Sequence, residues 1–189
     1  MLEWVLIMRY VRSIRLSIFV IISNMHAMSC RIHNLQNVTW AAQKPFERRS
    51  PSVEDVITQE LETGGGACIH QNYFLKLLLD HLGFNTFVVA AEVPSPYLPV
   101  PRNHVVTIVR LQNGKEEKLY LIDTGFGRPI PEPINLSELP FSGRAGGFNF
   151  EYRFNTELQR YERIALDGCA IKGAFVRWSL YYTIKYCVK

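Results

Sequence analysis

Residues 104–124 read HVVTIVRLQNGKEEKLYLIDT, two runs of strand-forming residues on either side of Asn113-Gly114. Asn-Gly is the strongest short-range signal for a two-residue hairpin turn. If the strands pair symmetrically about this dipeptide, His104 lies directly opposite Asp123. A carboxylate on a buried face is costly unless it is hydrogen-bonded, so we expect it to bind the imidazole. The other residues on that face are apolar: Val106, Ile108, Leu119 and Leu121.

The chain before this hairpin is typical of helices. Ser50-Pro51 predicts an N-cap followed by proline at the first helical position, with the helix running to about Glu62. The three glycines 64–66 should end it. A second helix is predicted from Cys68 to a C-terminal cap at Gly83, and its nearly continuous apolar surface indicates a central position.

Strand-forming residues dominate from Phe84 onward. The run 87–93 predicts a further strand, and the runs 148–154 and 160–166 predict another hairpin. Between the first two strands, 94–101 is too rich in proline for a strand and should be a stiff surface loop. We therefore predict an α/β (α+β) fold. A helical subdomain over 1–83 carries the nucleophile and packs on an antiparallel sheet or barrel over 84–189.

Composition narrows the class of protein further. With 189 residues, 48% hydrophobic and 20% charged, the chain suits one domain or two subdomains sharing a core. The net charge is +4, but basic and acidic residues are interleaved, so no nucleic-acid partner is predicted. The four cysteines, 30, 68, 169 and 187, contain no C-x-x-C pair. We expect neither a metal site nor a disulfide framework, and a reducing, cytoplasmic location.

The N-terminus has the residue order of a signal peptide. Arg9, Arg12 and Arg15 precede the apolar run 16–22, which is too short to span a bilayer. No small-residue cleavage site follows. A helix, or an incorrect start of the gene, is therefore favoured over secretion, and no membrane span is predicted.

A histidine held by an aspartate is the base half of a catalytic triad, and Cys68 is the best candidate for the nucleophile. It follows three glycines and begins a helix, where backbone N–H groups favour a thiolate and could hold an oxyanion. Each feature alone has a structural explanation. The cysteine begins a helix, and the histidine and aspartate lie on adjacent strands. This order of Cys68, His104 and Asp123 on such elements is typical of papain-like and transglutaminase-like cysteine enzymes.

Three motifs resemble the arylamine N-acetyltransferases. Residues 64–72, GGGACIHQN, are similar to the family's Arg-Gly-Gly-x-Cys-x-Glu-x-Asn, and 103–106, NHVV, to its histidine at a strand start. The most specific match is 120–127, YLIDTGFG, against Tyr-Leu-Val-Asp-Val-Gly-Phe-Gly. Residues 45–47, PFE, give a weaker match. The resemblance extends over about residues 33–166.

The resemblance implies acetyl transfer from acetyl-CoA to the nitrogen of a small arylamine or arylhydrazine by a ping-pong reaction. Acetyl-CoA would be a co-substrate, with no permanently bound cofactor. Cys68 would be the nucleophile, His104 the base and Asp123 the group that fixes the imidazole tautomer. Three further residues are expected beside the substrate, with the phenyl ring as a wall of the acceptor pocket: Asn103, Phe126 and Gly127.

The chain also departs from the family pattern. Gly64 replaces an arginine and His70 a glutamate, which removes both members of an ion pair rather than one. Arg48 replaces an asparagine. Family members continue beyond the segment 178–182 into a third, C-terminal domain, so we expect that domain, and part of the substrate pocket, to be absent.

Two other functions remain open. A cysteine amidase or hydrolase would use the same triad on a different acyl donor. A truncated relative would keep the fold but have no activity.

Overall fold

The structure, a computed structural model, describes residues 17, 20, 22, 31–32, 38, 41–93, 102–113, 116–126, 132–145, 148–166, 169–171, 174–176 and 179–182. Three predictions therefore lie outside the described residues: most of the N-terminal segment, the proline-rich loop 94–101, and Gly127. Within the described ranges, no helix has both the length and the apolarity needed to cross a bilayer.

Two α-helices precede the main sheet: α1 (Val53–Thr63) and α2 (Cys68–His81). Both lie where the sequence predicted helices, and α2 ends two residues before the predicted cap. The N-cap of α1 is Ser52, however, and not Ser50. The Asp55 N–H donates to Ser52 Oγ at 3.1 Å, and the Ser52 N–H donates to the Asp55 carboxylate at 2.7 Å. This capping box decides the helix start because it satisfies two backbone donors, which a proline at N1 does not do.

Gly64 ends α1 in a left-handed conformation, with φ of 65° and ψ of 32°. Its N–H donates to the Glu60 carbonyl at 3.0 Å. An L-residue with a side chain is strained in this conformation, so glycine suits the position.

Twelve strands lie in the described parts of the chain. They are β1 (Arg31–Ile32), β2 (Gly65–Gly66), β3 (Asn85–Glu92), β4 (His104–Asn113), β5 (Glu116–Ile122), β6 (Ile134–Asn135), β7 (Phe141–Ala145), β8 (Phe148–Asn155), β9 (Arg160–Ala165), β10 (Cys169–Ile171), β11 (Ala174–Val176) and β12 (Ser179–Tyr182).

Eight of these strands form one antiparallel sheet, in the order β6-β5-β4-β3-β12-β9-β8-β7. The predicted α/β class, helices packed on an antiparallel sheet, is confirmed. The two predicted hairpins are β4–β5 and β8–β9. In the order of the sheet, β3 and β12 lie between these hairpins, and the sequence did not indicate β12 as a strand. Two small pairs stand apart from this sheet, β1–β2 in parallel and β10–β11 in antiparallel.

The predicted register of the β4–β5 hairpin is wrong. Asn113 pairs with Glu116, so Asn113 belongs to the paired part of β4 and not to the turn. Every pair is thereby displaced by two residues, and Ile122 lies opposite Thr107. His104 is therefore not directly opposite Asp123. Because side chains alternate with a period of two, the displacement leaves each of them on its predicted face.

The core consists of two clusters on the two sides of β4 and β5. On one side, Val106, Ile108 and Leu121 pack with the aromatic residues of β8 and β9. On the other side, the second half of α2 packs against Val109 and Ile122. α2 therefore lies across these strands, and its N-terminus reaches the sheet end where β4 begins and β5 ends.

Candidate active site

His104 and Asp123 form a buried hydrogen-bonded pair. His104 Nε2 lies 3.0 Å from Asp123 Oδ2 and 3.1 Å from Oδ1. The two residues are 4% and 0% exposed. The predicted contact is confirmed, although it is a diagonal contact across the two strands. Diagonal neighbours on one face of a sheet remain within reach of long side chains.

Cys68 is the first residue of α2, and it is half-buried with a free thiol. The loop after β5 lies against it. A Cβ added at Gly125 would be 2.6 Å from Cys68 Cα and 2.9 Å from Cys68 Cβ, closer than side chains pack. Gly125 thus permits the backbone beside Asp123 to touch the helix start that carries the thiol.

Charges in this buried pair reinforce one another. Burial alone would lower the pKa of His104, but the charge of Asp123 and the hydrogen bond to it, with a hydrogen bond to Cys68, raise it to about 10. Burial would raise the pKa of Asp123, yet the charges of His104 and Arg163 and a hydrogen bond from Asn72 hold it below its usual value. At neutral pH the site therefore favours imidazolium and carboxylate.

Asn72 connects α2 to the His104–Asp123 pair, and the sequence indicated no role for it. Its Nδ2 donates to the Val105 carbonyl at 2.8 Å and to Asp123 Oδ1 at 3.3 Å, while its Oδ1 accepts from the Thr124 N–H at 3.2 Å. Asn72 is 0% exposed. It lies one helical turn after Cys68, so these bonds fix the distance between the thiol and the carboxylate. The signal in the sequence was its place as the last residue of the matched motif 64–72.

Phe126 and Asn103 flank the pair. The Phe126 ring lies edge-on to the His104 ring, with 5.5 Å between the centroids. The Asn103 side-chain amide forms two hydrogen bonds with the Val93 backbone: its oxygen accepts from the N–H at 2.7 Å, and its nitrogen donates to the carbonyl at 2.9 Å. These bonds hold the end of β3 beside the start of β4. Contact of either residue with substrate stays a prediction.

The two departures near the cysteine have structural explanations. Gly64 occupies the left-handed position at the end of α1, where an arginine would be strained. His70 is 7% exposed and packs beneath Gly66, since a Cβ added there would be 2.7 Å from His70 Cβ. The imidazole therefore fills space under the cysteine loop. Among the described residues, no group of three His, Cys, Asp or Glu side chains could hold a metal ion.

Comparison with known proteins gives two results. A sequence model of the N-acetyltransferase family matches residues 34–168. No curated protein matches the chain.

Solved arylamine N-acetyltransferases resemble the structure at low identity. The enzyme from M. tuberculosis has a TM-score of 0.62 and 18% identity over 89% of this chain and 60% of its own. The M. marinum enzyme has a TM-score of 0.64 and 19% identity over 88% and 58%. One from Bacillus cereus, with a Cys-His-Glu triad, has a TM-score of 0.61 and 20% identity over 86% and 61%. The chain thus spans about six tenths of the length of these proteins. Such likeness shows the fold, and the family match covers well over half of the chain. The protein therefore belongs to the arylamine N-acetyltransferase family.

Proposed function

We propose that the protein transfers an acetyl group from acetyl-CoA to the nitrogen of an arylamine or arylhydrazine through an acetyl-Cys68 intermediate. One observation carries the proposal: the buried His104–Asp123 pair lies beside a cysteine at a helix start. Family membership supports the acyl donor.

In the first half of the reaction, the Cys68 thiolate attacks the thioester carbonyl of acetyl-CoA. N–H groups in the first turn of a helix have no partner within the helix, and the positive end of its dipole favours an anion, so the start of α2 suits the oxyanion. The carbon–sulfur bond to CoA then breaks. The His104 imidazolium protonates the departing sulfur, leaving acetyl-Cys68 and neutral His104.

In the second half, the amine nitrogen attacks the carbonyl of acetyl-Cys68. His104 takes the proton that the nitrogen loses, and the Cys68 thiolate leaves. Since Nε2 is bound to Asp123, the other ring nitrogen, Nδ1, is the one available to the thiol and the amine. Asp123 stabilises the imidazolium that forms and fixes the ring orientation.

The direct test incubates the purified chain with acetyl-CoA and measures intact mass. We expect one added acetyl group, located on Cys68 by peptide mapping, which an arylamine removes as N-acetylarylamine. Cys68→Ser should not form the stable adduct, whereas Cys169→Ser, a matched change in β10, should form it. No acetylation of the parent, with turnover of amide substrates, would favour a hydrolase. No acylation from any donor would favour an inactive relative.

Cys68 should be the most reactive of the four cysteines towards iodoacetamide at pH 6. An ordinary thiol, with a pKa of about 8.5, is almost entirely protonated at this pH and reacts slowly. Cys68 begins α2, and its side chain is hydrogen-bonded to His104, an arrangement that activates a cysteine nucleophile. Peptide mapping after brief labelling checks this. Faster labelling of Cys30, Cys169 or Cys187 in the folded protein would contradict the assignment.

A further inference from the structure

Arg163 is a buried cation on the apolar side of the sheet. It lies in β9 opposite Tyr152 of β8 and is 6% exposed. Its guanidinium carbon is 4.8 Å from the ring centroid of Phe126, 4.9 Å from that of Phe150 and 5.8 Å from that of Tyr152. Removing a guanidinium from water costs free energy, and aromatic faces offset only part of that cost. Arginine at this inward position of a core strand therefore calls for a compensating charge.

The neighbouring active site contains a negative charge, the Asp123 carboxylate, on which Arg163 acts. The Phe126 ring that Arg163 covers is the ring that lies 5.5 Å from the His104 ring, and His104 is bonded to Asp123. The charge of Arg163 also lowers the pKa of Asp123. Arg163 thus contributes to the electrostatics of the same buried region, although it comes from a strand on the far side of β12.

The balance of charge shows what the guanidinium can do. A Cys68 thiolate, a His104 imidazolium and an Asp123 carboxylate together carry a net negative charge in a region with little water. Arg163 makes this group neutral. When Cys68 is acylated, Arg163 and Asp123 cancel, and a neutral His104 again leaves the group without net charge. Without Arg163, the charge of Asp123 would act on His104 unopposed and bind the ring proton more tightly, so His104 would release it less readily to the departing sulfur.

We propose that Arg163 is a positioning residue of the active site, whose guanidinium offsets part of the Asp123 charge and so limits how tightly His104 holds its proton. The charged and titratable groups that face this region come from four elements: Cys68 from α2, His104 from β4, Arg163 from β9 and the Tyr152 phenol from β8, with Asp123 directly after β5. The inference rests on the proposed triad but not on the identity of the acyl donor.

The test measures the rate of Cys68 alkylation by iodoacetamide against pH, which requires no acetyl-CoA. Arg163→Met removes the charge and keeps a side chain of similar length. We expect the midpoint of the profile to rise by on the order of one pH unit, because the buried region loses the positive charge that offsets its negative groups. At a pH below both midpoints, alkylation should accordingly fall about tenfold. Arg163→Lys, which keeps the charge, should retain a midpoint close to that of the parent.

Arg153→Met is the matched control. Arg153 pairs with Glu162 on the opposite face of the sheet, so its loss should leave the midpoint unchanged. Thermal unfolding identifies which variants fold, and Arg163→Gln provides a second neutral residue. An unchanged midpoint in a folded neutral variant overturns the proposal. So does failure of both neutral variants to fold while Arg163→Lys folds, because the charge would then serve stability.

The outcomes separate this inference from the proposed function. Suppose that Arg163→Met shifts the alkylation midpoint but acetyl-CoA does not acetylate the parent. This result would refute the acyl donor and support the role of Arg163. A parent in which Cys68 reacts as an ordinary thiol would refute the triad, and with it the role of Arg163.

Discussion

Asp123→Asn is expected to slow acetylation of Cys68 by acetyl-CoA at least about a hundredfold, since the equivalent change in a serine triad is more costly still. The amide keeps the shape of the side chain and removes the charge that raises the pKa of His104. With that pKa lowered, less of His104 is imidazolium at neutral pH, so the ring is less able to hold the proton of Cys68 and to protonate the departing sulfur. Single-turnover acetylation, followed by mass spectrometry, measures the effect.

The fold must be separated from the chemistry, because Asp123 is 0% exposed. Glu162→Gln makes the same chemical change at another buried carboxylate, 3% exposed and paired with Arg153 and Arg160. This control should lose stability without a comparable loss of acetylation. A folded Asp123→Asn protein that is acetylated as fast as the parent would show that the carboxylate is structural.

The sequence correctly predicted the contact between His104 and Asp123, although the strand register from which it was predicted was wrong. Asn113-Gly114 indicates where the hairpin turns but not which two residues connect the strands. Asn113 is itself paired, with Glu116, which displaces each pair by two positions from the predicted register. A displacement by two preserves the buried face, so burial alone cannot distinguish the registers. The His104–Asp123 contact survives because both side chains lie at the strand ends and reach diagonally.

Other features depend on contacts between distant parts of the chain. Asn72 bonds with residues 51 and 52 positions later, and no local pattern reveals such partners. β12 has four residues and joins β3 to β9, so its position follows from pairing rather than propensity. Arg163 interrupts the apolar face of β9, and only the folded sheet shows it beside the rings of β8 and Phe126. Local signals placed both helices and five of the eight strands of the main sheet, since hydrophobic periodicity and capping act within a few residues.

Gly125→Ala is expected to reduce acetylation of Cys68 by about a hundredfold or more. The new methyl group would lie 2.6 Å from Cys68 Cα and 2.7 Å from Asn72 Nδ2, and the first of these is a backbone atom that cannot turn aside. Either α2 or the loop after Asp123 must therefore move away. Displacement of a reacting group by about 1 Å can cost a hundredfold in rate.

Gly64→Ala supplies the comparison. Gly64 has no neighbour within 4 Å of an added Cβ, but its φ of 65° strains any other residue. Its substitution should cost about 1 kcal/mol of stability by that strain, without moving Cys68 relative to His104. Loss of stability alone should then leave acetylation of the folded fraction intact, whereas Gly125→Ala should lose acetylation even where it remains folded. Equal activities in the two folded variants would mean that the contact between Gly125 and the start of α2 does not set the position of the nucleophile, and that the bonds of Asn72 suffice to hold it.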